Sequence, residues 1–122
     1  MEPNFFLEDN EVLNNHDLLT EHDITLTINF TDSINDKIGD YNISYIDSRV
    51  LSRNEFINIL NQVENIILTK PNDNILLTCK RGVNRSASIA MGLLIRNYSM
   101  DFSTVPAYIE ELKSNCDTSW DN

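Results

Sequence analysis

Cysteine, histidine and positive charge are all scarce in this chain of 122 residues, and each scarcity removes a class of explanation. Two cysteines, Cys79 and Cys116, cannot build a disulfide framework. Cys116 lies in a polar stretch near the last residue and reads as a bystander, with nothing to support a redox pairing with Cys79. The two histidines, His16 and His22, have no cysteine or carboxylate at usual metal-ligand spacing. Both are expected to be solvated helix residues, and neither a metal nor a cofactor is expected. Nine Lys and Arg face nineteen Asp and Glu, a formal net charge of −10. Such a surface repels nucleic acid and anionic membrane, so any phosphate has to be met at a local basic site. No apolar run is long enough to cross a bilayer, and Met1-Glu2-Pro3-Asn4 offers neither a basic leader nor Gly at the second position. A signal peptide, a membrane helix and N-myristoylation are therefore not expected.

What is present centres on one stretch. Ile75-Leu76-Leu77 reads as a short buried strand, Thr78 to Ser86 carries Cys, Gly and Arg residues, and the apolar run from Ala87 to Ile95 reads as a buried helix. A loop between a strand and a helix N-terminus can turn its backbone N–H groups toward a tetrahedral oxyanion. A thiol near a helix N-terminus and a guanidinium ionises more readily, which makes Cys79 a candidate nucleophile. Arg85 has a planar fork that grips two phosphate oxygens at once. Gly82 can supply a turn at positive φ. Lys80, Arg81 and Arg85 gather three of the nine cations within six residues, although an adjacent Lys-Arg pair is also the ordinary composition of a solvated surface.

The surrounding pattern is that of one α/β domain. The span from Phe5 to Asp23 reads as an entry segment and a helix, with Val12, Leu13, Leu18 and Leu19 buried. Ile24 to Phe30 alternates apolar with polar residues and reads as a strand, Thr31 to Tyr41 as a loop, and Ile43 to Ile46 as a second short strand. Asn54 to Leu68 places Phe56, Leu60, Val63 and Ile67 on one helical face, with Ser52 or Arg53 at its start and Pro71 past its end. Gly92 costs roughly 1 kcal/mol against Ala inside a helix, so a close backbone approach is expected there. Ser103 can cap a last helix running to Leu112, with Pro106 in its first turn.

Cys79, Gly82, Arg85 and Ser86 fill every fixed position of C-x-x-G-x-x-R-S/T, and on that motif the chain resembles the cysteine-based protein phosphatases of the dual-specificity type. Gly82-Val83-Asn84-Arg85-Ser86 looks especially like the poxvirus-type members. The resemblance implies a single domain over residues 1–122, with a central, mostly parallel sheet flanked by helices and a phosphate-binding loop of Lys80, Arg81, Gly82, Val83, Asn84 and Arg85. It also implies a general acid, and Asp47, 32 residues before Cys79, has the family-like separation. Asp36 and Asp40 lie nearby, and Asp also ends strands as a turn former. Ser86 would donate a hydrogen bond to the Cys79 sulfur or simply cap the helix, and Asn84 would brace the loop. Two departures stand out. Thr78 occupies the place before the nucleophile where relatives usually have His, and the chain stops at Asn122 where relatives usually continue into another helix.

The resemblance implies a metal-independent phosphatase acting on protein phosphotyrosine, with phosphoserine and phosphothreonine as wider substrates, through a cysteinyl-phosphate. The partner expected is a phosphorylated protein; monomer and homodimer both stay open. Two other outcomes fit the same loop: a phosphate-binding pseudophosphatase, which Thr78 would favour, and a phosphatase of RNA 5′-phosphates or phosphoinositides, which Lys80 and Arg81 would suit. Asn-x-Ser/Thr sequons begin at Asn29, Asn42, Asn84 and Asn97, and a glycan on Asn84 would block the loop. A cytoplasmic or nuclear location is expected, not secretion.

Overall fold

A strand that is apolar on both faces belongs in the middle of a parallel sheet, since βαβ crossovers cover both sides. Asn74–Cys79 is that strand in the computed structural model, which describes residues 4–31, 39–45, 52–69, 74–79 and 84–111. Numbered in chain order, β1 is Asn4–Asp9, β2 Leu26–Thr31, β3 Tyr41–Ser44 and β4 Asn74–Cys79. They stand in the order β1-β4-β2-β3, and every pairing is parallel. The α/β expectation and its mostly parallel sheet are therefore met.

Side-chain alternation splits the sheet into two faces. Leu7, Ile28, Phe30, Ile75, Leu77 and Cys79 pack in one core with side chains of α2 (Arg53–Leu68) and α3 (Asn84–Asn97). Leu76 points the other way, to Leu13, Val12, Leu18 and Leu19, from a 3₁₀ turn over Asn10–Asn14 and the short helix α1, His16–Glu21. Full burial of one such aliphatic side chain is worth roughly 1.5–3 kcal/mol.

The N-terminal segment differs from expectation. Asn4–Asp9 is a strand rather than an entry segment, in register with β4 from Asn4 opposite Asn74 to Asp9 opposite Cys79. Val12 and Leu13 belong to the 3₁₀ turn, and only Leu18 and Leu19 of the expected apolar set lie in α1. His16 is exposed as expected, but His22 is half-buried, with its ring edge 6.3 Å from Phe6. In β2 all six residues are buried, so the polar members of the alternating pattern, Thr27, Asn29 and Thr31, do not face water.

The helix α2 starts where the sequence places it, through a capping box: Ser52 Oγ accepts from Glu55 N–H at 3.1 Å and the Glu55 carboxylate accepts from Ser52 N–H at 3.1 Å. Leu60, Val63 and Ile67 are buried as expected, while Ile59 is buried and Phe56 only partly so. The hydrogen bonds from the Ser52 hydroxyl side first, and its backbone second, hold Glu55 below the usual carboxylate range. Ser52→Ala is expected to lower stability by about 1 kcal/mol at neutral pH. A depressed folded-state value stabilises above the ordinary Glu value and is lost as pH falls through the depressed one. The difference between thermal melts of wild type and variant should therefore be widest at neutral pH and narrow in acid, where the bond from Glu55 N–H to Ser52 Oγ still separates them.

In α3, a Cβ on Gly92 would lie 2.9 Å from Leu60 Cδ2 and 3.4 Å from Phe56 Cε2, which is the close approach between α2 and α3 that the glycine permits. Past the helix Ser99 turns at φ 55°, and Met100 N–H donates back to Leu94 C=O at 3.0 Å. Residues 105–111 form a last helical turn pair, α4. Its entry is organised by Asp101, whose carboxylate accepts from Ser103 N–H and whose carbonyl accepts from Thr104 and Val105 N–H, so Ser103 is not the cap. Pro106 is the second helical residue, within the first turn as expected.

Candidate active site

The carboxyl ends of parallel strands are where α/β sheets place their ligands, because the following helix N-termini converge there. Cys79 is the last residue of β4, flanked in register by Asp9 of β1 and Phe30 of β2. It is 1% exposed and points to the α2–α3 face with Leu77 and Ile75. α3 runs over Asn84–Asn97, so Arg85 and Ser86 stand within the helix rather than before it. Ser86 is consequently not an N-cap. Its Oγ, fully buried, lies 3.7 Å from Cys79 Sγ, within reach of a hydrogen bond to sulfur whose direction follows the protonation of the thiol.

Arg85 is partly buried, and its Nη1 donates to the Tyr45 carbonyl at 3.2 Å. Tyr45 follows β3 and is held in turn by its own N–H donating to Thr31 C=O at 3.1 Å and by its ring, edge-on to Phe30 at 6.1 Å. Arg85 therefore ties the first turn of α3 to the end of the edge strand. From there the chain runs on to Asp47, which lies outside the described residues, as do Lys80, Arg81, Gly82, Val83, Asp36 and Cys116; nothing structural is assigned to them. Asn84 is placed as the start of α3.

Thr78 is fully buried on the opposite face of β4, where its hydroxyl donates to Asn29 Oδ1 at 2.8 Å. Asn29 Nδ2 in turn donates to Asn42 Oδ1 at 3.4 Å. Tyr45, Asn29 and Asn42 lie outside the motif and are not candidates for the site on sequence, where Asn29 and Asn42 are marked only as sequon starts. A signal existed for the second: asparagine is depleted in strands, so one at the centre of an alternating strand needs a partner. Asp40, weighed above as an acid, is engaged in the fold, its carboxylate accepting from Thr27 N–H at 2.9 Å and its own N–H donating to Thr27 Oγ1 at 2.7 Å.

Among the described residues no group of three or more His, Cys, Asp or Glu could hold a metal ion, and no helix is long and apolar enough to cross a membrane. Residues 5–119 match the family model described as the dual specificity phosphatase, catalytic domain. A comparison with curated proteins finds no match.

Proposed function

Since the chain belongs to the dual-specificity phosphatase catalytic-domain family, we propose that it is a protein phosphatase using Cys79 as nucleophile, without a metal, on phosphotyrosine and on phosphoserine or phosphothreonine. The observation that carries the residue roles is the approach of Ser86 Oγ to Cys79 Sγ at 3.7 Å, at the carboxyl end of the central strand and beside the first turn of α3. Cys79 Sγ attacks phosphorus in line with the departing oxygen, and the P–O bond breaks as the S–P bond forms. Arg85 and the loop amides hold the equatorial oxygens. Asp47 gives its proton to the leaving oxygen and takes one from the water that then cleaves the S–P bond. The Ser86 hydroxyl donates to the sulfur when it carries negative charge, which eases its departure from phosphorus. The run Gly82 to Ser86 supports placing the chain near the poxvirus-type members.

Phosphopeptides, a triphosphorylated RNA and a phosphoinositide assayed side by side rank the substrate classes by kcat/KM, and the phosphopeptides are expected to lead. Asp47→Asn is expected to reduce kcat on an aryl phosphate about 10²-fold and to remove the basic limb of a bell-shaped pH profile. A basic limb that survives the substitution shifts the acid role to another group. Wild type that binds phosphate without a burst or turnover would instead be a phosphate-binding module.

A further inference from the structure

One row across the sheet is polar where its neighbours are apolar. Thr78 of β4 faces Glu8 of β1 and Asn29 of β2 in register, and Asn29 faces Asn42 of β3. Glu8, Thr78 and Asn29 are all buried. This row lies one residue before Cys79, at the carboxyl end of the sheet.

The hydrogen bonds along it have a fixed direction. A backbone N–H can only donate and a carbonyl only accept. Gly39 N–H donates to Asn42 Oδ1 at 3.0 Å and Gly39 C=O accepts from Asn42 Nδ2 at 2.9 Å, which sets the orientation of the Asn42 amide. Asn42 Oδ1 then receives Asn29 Nδ2, and this leaves Asn29 Oδ1 toward Thr78. An amide oxygen only accepts, so the Thr78 hydroxyl is the donor. Gly39 also closes over Asn29, since a Cβ at position 39 would lie 3.1 Å from Asn29 Cβ.

The Thr78 proton is thus engaged on the face of the sheet away from Cys79 Sγ, and Thr78 cannot serve the sulfur directly. Buried polar pairs contribute little net stability over apolar residues of the same volume, but they fix a distance and a direction, which apolar packing does not. The residue they fix here is the one from which the chain departs into Cys79 and the loop.

We propose that Asn29 is a positioning residue for Cys79, acting through Thr78, with Asn42 and the Gly39 backbone holding the Asn29 amide in its accepting orientation. The role rests on Cys79 being the nucleophile of the phosphatase above. It gives Thr78 a function of its own: a hydroxyl locked to a second strand at the residue before the candidate nucleophile. A misplacement of the sulfur by a fraction of an ångström lowers the rate of in-line attack while leaving phosphate binding by Arg85 and the loop largely intact.

The test compares wild type with Thr78→Val, which keeps the shape and loses the hydroxyl, and Thr78→Ser, which keeps the hydroxyl. Turnover of an aryl phosphate, the rate of Cys79 alkylation by iodoacetamide at pH 6, and the melting temperature are measured on each. Thr78→Val is expected to lose about tenfold in kcat with KM within about twofold, and to slow alkylation about threefold to tenfold. Thr78→Ser should restore both to within about twofold. A folded Thr78→Val with wild-type kcat and alkylation, or a Thr78→Ser no better than Thr78→Val, overturns the proposal even if the melting temperature falls. Should Thr78→Val not fold, Asn42→Ala frees the Asn29 amide without touching β4 and carries the same expectations. If wild type alkylates and responds to Thr78 in this way but turns over no phosphate ester, the positional role stands and the phosphatase assignment falls. Turnover that ignores Thr78 is the reverse.

Discussion

Cys79→Ser is expected to lower kcat on an aryl phosphate by about 10⁴-fold or more while leaving the fold and the affinity for inorganic phosphate near wild type. The exchange replaces one atom at the end of β4, a site where the side chain is almost wholly buried and packs with Leu77, Ile75 and the helices behind them. Oxygen is smaller than sulfur, so packing tolerates it. Chemistry does not. An alcohol is essentially un-ionised at neutral pH and needs an adjacent base to become a nucleophile, whereas a thiol supplies thiolate without one. The neighbour at 3.7 Å is Ser86, a second hydroxyl, which has no basic lone pair to take the proton. In the proposed mechanism phosphate is bound by Arg85 and the loop amides rather than by the Cys79 side chain, so the exchange should spare binding. Burst kinetics and calorimetry with inorganic phosphate check the two halves separately. Residual turnover within about 10²-fold of wild type would remove Cys79 from the nucleophile's role.

The strand–loop–helix unit was the most legible part of the chain because three independent signals coincide there. Ile75-Leu76-Leu77 is apolar on both faces, Cys79 and Arg85 are spaced by a loop motif, and the run from Ala87 is helical; the structure delivers β4 and α3 in those places. The start of α2 was legible to within Ser52 or Arg53, and the structure settles it at Ser52 through a capping box with Glu55. β1 was not. Phe5-Phe6-Leu7 is too short for a period to be measured, and a buried parallel strand shows none. Its identity comes from pairing with β4, about seventy residues away, which local sequence cannot express.

The same distinction holds at the candidate site. Cys79, Arg85 and Ser86 lie within one motif, so residue type and offset single them out as candidates. Their supports are remote: Thr78 reaches Asn29 across 49 residues and Arg85 reaches Tyr45 across 40. The alternation in β2 marks a strand but does not say what its polar side chains meet, which for an alternating strand is normally water. Here Asn29 meets a second strand instead, and its burial is intelligible only once β4 is set beside it. The loop from Lys80 to Val83 and Asp47 rest on the motif and its spacing alone.

Arg85→Lys is expected to reduce kcat/KM on phosphate monoesters about 10²- to 10³-fold although the charge is kept. A guanidinium presents five N–H groups in a rigid plane, so one side chain can serve both the Tyr45 carbonyl, held by Nη1, and the phosphate that the proposed mechanism gives it. A lysine ammonium is a point donor on a flexible stem. It can meet the phosphate or the carbonyl, and holding both would need two positions at once. Loss of the phosphate fork weakens the transition state for every substrate alike. Loss of the tie to Tyr45 acts differently, because the chain passes from Tyr45 to Asp47 within two residues and a freed strand end loosens the proposed acid. Leaving-group dependence separates the two effects. A nitrophenyl ester, the better leaving group, depends less on the acid and should show mainly the first loss, while an alkyl ester needs its proton more and should lose about tenfold more. Equal losses on both esters would confine Arg85 to phosphate binding, and an Arg85→Lys enzyme within about threefold of wild type on both would deny it even that role.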